Sequence, residues 1–486
     1  MQEDMTISQA LEGTYPSPGK LSKPFWVVWA IELWERFGFY GTQAILALYF
    51  VKQLGYSESL SISVFGSFSA FVYGFVWIGG YIGDSYLGTK RTMLLGAIIL
   101  MLSYVALALS NSSTVFYALS AIVIGNTLFK ANAGSLIAKM YQKGDPAFDG
   151  AMTIYYMAIN IGSLISMFLT PIVAELWGWS YAFWICALGL LLGLINYFPF
   201  VKIMRNVGTG VDQEKIRISR LLLVIFASIF SIVVIAKLLP NTFVCDMIVY
   251  TVVGAVFVYF LKLSFAYETV QRTRMFVALV LIMQGVIFFV LYNQMPTSLT
   301  FFAMHNVNNH FLGINIPPAE YQLLNSLFIV IMSPILVWIY NRIHSTHVTK
   351  FCIGMSLCAI AFLILFLSKY FSTNGLISPV WMVLTYYFQS VGELLISGLG
   401  LAMVAELCPA GMAGFVIGIW YLTIMLSGPL GAWVGNLTEP AGGLDALSAV
   451  ETLTIYTGVF LQIGVVTGIV SVIMWCMRPM LNRYIR

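Results

Sequence analysis

Stretches of about 20 predominantly apolar residues recur along nearly the whole chain, and no soluble core can absorb so many of them. Soluble domains carry roughly 25% charged residues. Here charged residues make up 9% of 486 and apolar ones 60%. Lipid is the remaining solvent, because a helix needs about 20 mostly apolar residues to cross a hydrocarbon layer about 30 Å thick. The chain is therefore expected to be an all-α, polytopic membrane protein.

Hydropathy, punctuated by Gly, Pro and charge, places helices near 24–53, 60–84, 91–110, 114–140, 150–174 and 180–202. A hydrophilic link from Arg205 to Arg220 follows and reads as a hinge. Two spans near 220–240 and 243–266 form a hairpin broken at Leu239-Pro240-Asn241. The second half gives spans near 275–303, 319–343, 348–370, 376–406, 411–435 and 452–478. The expected architecture is two six-helix bundles plus an extra two-helix hairpin, about 14 transmembrane helices in all. Its segments are a polar N-terminal tail (1–23), a first bundle (24–204), a cytoplasmic link (205–219), the hairpin (220–268), a second bundle (269–478) and a short C-terminal tail (479–486).

Lys and Arg set the expected orientation, since cytoplasmic loops hold their excess. With both termini inside, the inner side collects the basic residues at 20–23, 90–91, 139–143, 202–220, 262–274, 342–350 and 478–486. The outer side keeps Lys52, Lys237 and Lys369. The net charge of +4 thus reports topology and gives no reason to expect a nucleic-acid partner. Residues 1–20 lack the apolar core of a signal peptide, so the first span is expected to serve as the signal. The six cysteines (Cys186, Cys245, Cys352, Cys358, Cys408, Cys476) show no CxxC and read as free apolar side chains.

The halves echo one another. Thr89-Lys90 matches Thr349-Lys350, Ile124-Gly125-Asn126 matches Val391-Gly392-Glu393, and Gly150 to Tyr156 matches Gly414 to Trp420. All three offsets are roughly 260 to 270 residues, as expected of a transporter built from two repeats with its site between them near the midplane.

The chemistry must come from polar groups that lipid disfavours. A charged residue at the centre of a span costs on the order of 3 kcal/mol, so each is a candidate functional residue. Glu32, Glu35, Arg36, Lys130 and Glu393 stand out. At about 3.6 residues per turn, Glu32, Glu35, Arg36, Phe39, Tyr40 and Gln43 share one face of the first span. Two carboxylates beside one guanidinium leave a surplus negative charge that Lys130, in the fourth span, is placed to neutralise. Protonating a glutamate would then free a cation for an anionic ligand, coupling two fluxes without metal or nucleotide. The alternative is a structural ion cluster that pins helix positions. The spans contain no zinc spacing, nucleotide loop or nucleophile with a base, which argues against an enzyme.

These residues carry a resemblance. Glu32-x-x-Glu35-Arg36 resembles the ExxER motif of the proton-dependent oligopeptide transporter family (POT/PTR), a branch of the major facilitator superfamily. Gly79-Gly80-Tyr-Ile-Gly83-Asp84-Ser-Tyr-Leu87-Gly88-Thr-Lys90-Arg91 and Tyr156-Met-Ala-Ile-Asn160-Ile-Gly162-Ser163 are similar to its two signatures. The extra hairpin is similar to that of bacterial di- and tripeptide permeases. The resemblance implies the major facilitator fold and a proton-coupled symporter of di- and tripeptides in the bacterial inner membrane, working as a monomer, surrounded by lipid, with no cofactor beyond the proton gradient.

It also implies residue roles. Arg36 and Lys130 would hold the peptide carboxylate, Glu393 with Asn325 and Asn160 the amino terminus, and Tyr40, Tyr73 and Trp420 would line side-chain pockets. Glu32 and Glu35 would carry most of the proton work, with Glu393 a third candidate, and Asp84 would be a gate or loop residue near the surface. The sequence departs from the family at the seventh span, where Asn293 stands near an expected acid and Gln284 is neutral, and at Phe39, which replaces a tyrosine. The four histidines, His305, His310, His344 and His347, are expected in or beside loops. A relative with another anionic cargo, such as nitrate, would need Glu393 less, and a drug antiporter would need a different constellation.

Overall fold

The computed structural model describes residues 21–141, 147–311, 313–343, 345–409, 412–440, 443–444 and 447–484. Residues 1–20 of the expected N-terminal tail, Lys143, His344 and Arg486 lie outside the described residues. The expected spans fall on helical segments, two of them, 60–84 and 275–303, on more than one α-helix. Among the described residues, 11 helices are long and apolar enough to cross a membrane. The other three expected spans are the helices Lys23–Lys52, Val380–Leu407 and Ala413–Asn436, of 30, 28 and 24 residues.

By internal contacts the chain forms two compact units. Unit one runs to Gln43 and from Phe75 to Pro240; unit two comprises Ala44–Gly74 and Asn241 onward. Unit one holds most of α1 (Lys23–Lys52), then α3 (Val76–Tyr81), α4 (Thr89–Ala108), α5 (Val115–Ala138), α6 (Ala147–Trp177), α7 (Trp179–Tyr197), the short α8 (Gly210–Gln213) and α9 (Ile218–Leu238). Here α4 packs between α5 and α7, while α3 and α9 lie on α5. Unit two holds α2 (Glu58–Gly74), α10 (Thr242–Phe265), α11 (Thr269–Tyr292), α12 (Ser298–Asn306), α13 (Leu323–Arg342), α14 (His347–Ser368), α15 (Val380–Leu407), α16 (Ala413–Asn436) and α17 (Ala449–Leu481). In it α14 packs between α15 and α17, and α16 between α2 and α11.

The two helices of the expected hairpin pack on different units: α9 on α5, and α10 on α2 and α16. Both turn large apolar side chains outward, among them Leu222, Phe226 and Phe230 on α9 and Phe257 and Val258 on α10. Such surface is stable only against lipid.

The expected span 275–303 is broken. Residues 293–297 form a turn between α11 and α12, at Pro296, which has no N–H to continue the helical ladder. Gln294 holds the break, its amide donating to the carbonyls of Val290 and Gly431 at 3.0 Å each while its oxygen accepts from Ser298 Oγ at 2.7 Å. A two-residue antiparallel hairpin, His310–Phe311 with Ile314–Asn315, follows α12 and has no counterpart in the sequence reading.

The glycine-rich signature at 79–91 now has a physical reason. A Cβ at Gly79 would collide with the Thr127 carbonyl on α5, so only glycine permits this approach. The chain then tightens into a π-helical turn, Ile82–Leu87, and reverses at Gly88, whose φ of 101° favours glycine. That reversal exposes the first N–H groups of α4, and the link supplies their acceptor. Asp212, buried, receives Thr89 N at 2.8 Å, Lys90 N at 3.2 Å and Thr209 N at 2.9 Å. Lys90 Nζ donates to the carbonyls of Met204 and Arg205, and Arg91 to those of Val211 and Asp212. Although the sequence reads it as a hinge, the link is pinned to α4 by this cap. Asp212→Ala is expected to lower stability by about 1–2 kcal/mol, read as a lower melting temperature in detergent; an unchanged melting temperature would contradict the capping role.

Candidate functional site

The first polar cluster is built on α1. Its start is set by Ser22, whose Oγ accepts from Phe25 N at 3.3 Å, and by Pro24 in the first turn, where a missing N–H is harmless. Two contacts with α6 fix its rotation: Trp29 Nε1 donates to the Ile154 carbonyl at 2.9 Å, and Gly162 lies so close that a Cβ there would strike the Leu33 carbonyl. Gly162 belongs to the second signature, and this contact is its physical reason.

With α1 so held, the ExxER face points into unit one. Arg36 Nε lies 3.2 Å from Glu32 Oε1 and 2.5 Å from Glu35 Oε2. Relative exposures of Glu32, Glu35 and Arg36 are 3%, 0% and 1%. Arg36 Nη2 donates to Asn126 Oδ1 on α5 at 3.5 Å, and the guanidinium sits 5.1 Å from the Phe39 ring centroid and 6.0 Å from that of Tyr40. Lys130, one turn beyond Asn126, is half-buried and interacts electrostatically with Glu35, Glu32 and Arg36. Two carboxylates and two cations thus share one low-dielectric site, where removing any one strands a charge at a cost of about 3–5 kcal/mol.

The cluster is not saturated. One oxygen of each acid, Glu32 Oε2 and Glu35 Oε1, has no hydrogen-bond partner among the described residues. Two tyrosines that sequence reading missed interact electrostatically with these acids: Tyr155 of α6 with Glu32, and Tyr104 of α4 with Glu35. Tyr40 is half-buried at the edge of the same face. Asn160, also in unit one, is buried and donates to the Tyr156 carbonyl of its own helix at 3.0 Å.

Unit two carries a second cluster. Asn325 Nδ2 on α13 donates to Glu393 Oε2 on α15 at 2.7 Å and to Ser390 Oγ at 3.1 Å. Glu393 is half-buried, and Ser390, one turn before it, is a further polar group the sequence did not single out. Trp420 is buried on α16, edge-on to Phe289 at 6.1 Å and against Gly285 and Gly400. Tyr73 is half-buried near the end of α2. Of the two neutral residues of the seventh span, Asn293 donates to the Ser427 carbonyl and hydroxyl at 3.0 and 2.9 Å, and Gln284 contacts Met474.

Asp84 stands apart from both clusters, in the π-helical turn, with its side chain exposed and 2.6 Å from Lys139 Nζ. His305, beside a loop as expected, lies in the last turn of α12 and meets Glu58 Oε1 at 2.5 Å. Tyr456 Oη donates to the other oxygen of Glu58 at 2.7 Å. Glu58 opens α2 after a loop, so hydropathy gave no sign that it would be buried. Among the described residues no group of three or more His, Cys, Asp or Glu could hold a metal. The six cysteines are free, five of them buried.

Comparison with known proteins agrees with this architecture. The PTR2 family model, described as the POT family, matches residues 90–442. Dipeptide and tripeptide permease A of Escherichia coli (strain K12) is 46% identical over 470 residues, covering 96% of this chain and 93% of that protein. Dipeptide and tripeptide permease B of Aeromonas hydrophila is 45% identical over 471 residues, covering 95% and 93%. A solved bacterial homologue of the human drug peptide transporters superposes with a TM-score of 0.85 at 37% identity, covering 95% of this chain and 98% of that one. A peptide transporter POT in complex with sulfate superposes with a TM-score of 0.85 at 25% identity, covering 98% and 99%. The chain is therefore a membrane protein of the POT family.

Proposed function

We propose that this protein is a proton-coupled symporter that imports di- and tripeptides by alternating access of its two six-helix bundles. The observation that carries the reading is the buried Glu32–Arg36–Glu35 ion cluster with Lys130 beside it. The names of the relatives, permeases for dipeptides and tripeptides, support the cargo.

Arg36 and Lys130 bind the peptide carboxylate. Both cations are engaged by Glu32 and Glu35 when the site is empty, so a carboxylate competes with those acids for them. Protonating an acid removes the competitor, and proton and peptide then enter together. The ammonium end goes to Glu393, already oriented by Asn325, with Asn160 as a further polar contact. Tyr40 and Tyr73, both half-buried, and the more enclosed Trp420 offer flat amphipathic surfaces to side chains, which favours broad specificity. Asp84, paired with Lys139, acts in gating or structure at the membrane surface. No cofactor is required beyond the proton gradient. The protein works as a monomer among lipids of the bacterial inner membrane, both termini cytoplasmic as the Lys and Arg partition dictates.

Three outcomes test this. In proteoliposomes, Lys130→Ala is expected to reduce alanyl-alanine uptake by about 100-fold or more, since the loss of a buried partner costs about 3–5 kcal/mol; uptake near wild type would contradict its role. Glu35→Gln should abolish concentrative uptake driven by a pH gradient yet keep counterflow of labelled dipeptide, and concentrative uptake by this variant would refute the coupling scheme. Glu393→Gln should weaken dipeptide affinity by about 10-fold or more, the worth of a charge-assisted hydrogen bond; unchanged affinity would favour an anionic cargo without an amino group, such as nitrate.

A further inference from the structure

Deep in unit one, two buried polar atoms on neighbouring helices lack a hydrogen-bond partner among the described residues. Tyr104 and Glu35 are each 0% exposed, and Tyr104 Oη and Glu35 Oε1 have no partner among the described residues. Tyr104 interacts electrostatically with Glu35 before any other charged neighbour. The approach is built into α1: Gly38, three residues after Glu35 and on the same face, lets the tyrosine ring so close that a Cβ there would lie 2.7 Å from Tyr104 Cε2 and 3.2 Å from Cζ, which bears the hydroxyl. A buried unsatisfied polar atom is costly, and packing does not explain the Tyr104 hydroxyl, since phenylalanine would fill the same volume.

We infer that Tyr104 is a positioning residue for coupling: its hydroxyl oxygen accepts a hydrogen bond from the O–H of protonated Glu35 once Arg36 has turned to the substrate carboxylate. While Arg36 holds Glu35, the acid is ionised, its second oxygen stands idle and so does Tyr104. When Glu35 takes a proton and Arg36 leaves, the new O–H needs an acceptor in a dry site. The groups around Glu35 are Arg36 and Glu32 on α1, Lys130 on α5, Tyr155 on α6 and Tyr104 on α4, with Cys186 of α7 beside Tyr104. Arg36 and Lys130 have no lone pair to offer and Tyr155 interacts with Glu32, so the acceptors are Glu32, whose charge Lys130 balances, and the Tyr104 oxygen, which has no other hydrogen-bond partner among the described residues. This inference rests on the coupling role proposed for Glu35.

The test is the pH profile of alanyl-alanine uptake in proteoliposomes for wild type and Tyr104→Phe, with counterflow measured alongside. Losing an acceptor that serves only the protonated acid should move the uptake midpoint to lower pH by about one unit, with counterflow within about twofold of wild type. Gly38→Ala, which displaces the ring, should shift the midpoint in the same direction. In a Glu35→Gln background, Tyr104→Phe should change counterflow by less than about twofold. A wild-type midpoint in both single variants overturns the inference, as does a large added effect in the Glu35→Gln background, which would place the hydroxyl's action elsewhere. Wild-type uptake without any pH dependence would instead overturn the coupling reading itself, and this inference with it.

Discussion

One guanidinium shared by two carboxylates inside a membrane protein is the constraint on which the rest depends. In water, a pair of charges at 4 Å interacts by about 1 kcal/mol; in a protein interior the same pair is several-fold stronger, and its desolvation several-fold more costly. Arg36, Glu32 and Glu35 are therefore stable only as a set, with Lys130 completing neutrality. Any event that changes one member, a proton on an acid or a carboxylate from solution, must be answered by another. On the proposed function, coupling needs no separate device, because it is the charge balance of the site.

Much of unit one can be understood as scaffolding for that set. The Trp29 bond to α6 and the close pass of Gly162 hold α1 so that the charged face points inward. Gly79 brings α3 against α5, the helix that carries Asn126 and Lys130. Beyond Gly88, Asp212 caps α4, the helix that carries Tyr104. The two signature segments are thus packing devices, and the chemistry lies on the helices they position. Unit two has its own polar pair, Asn325 on Glu393, in which a neutral amide orients the acid without neutralising it. On the proposed function this carboxyl group receives the ammonium end of a peptide, whereas Arg36 and Lys130 receive its carboxylate.

The sequence made the helices legible because lipid imposes a length and an apolar composition on each, and the ExxER face was legible because three charges and a tyrosine obey the helical repeat. Other features hid for identifiable reasons. The break at 293–297 lies inside a run apolar enough to read through, and only Pro296 hints at it. Glu58 sits beside a loop, and its partners His305 and Tyr456 are 247 and 398 residues away, beyond any local pattern. Tyr104 and Tyr155 look like ordinary aromatic residues in apolar helices, and their relation to the acids exists only once α4 and α6 are packed. Asp212 reads as one more charge in a hydrophilic link until Gly88 turns α4 toward it.

The central claim is that peptide carboxylate and proton act on the same buried ion cluster. Proton uptake on dipeptide binding, followed with a pH-indicator dye in weakly buffered detergent solution, measures this directly. Binding of alanyl-alanine to wild type should draw protons from solution, and Glu35→Gln should bind with markedly less uptake. Full binding by wild type with no change in proton number would contradict the account.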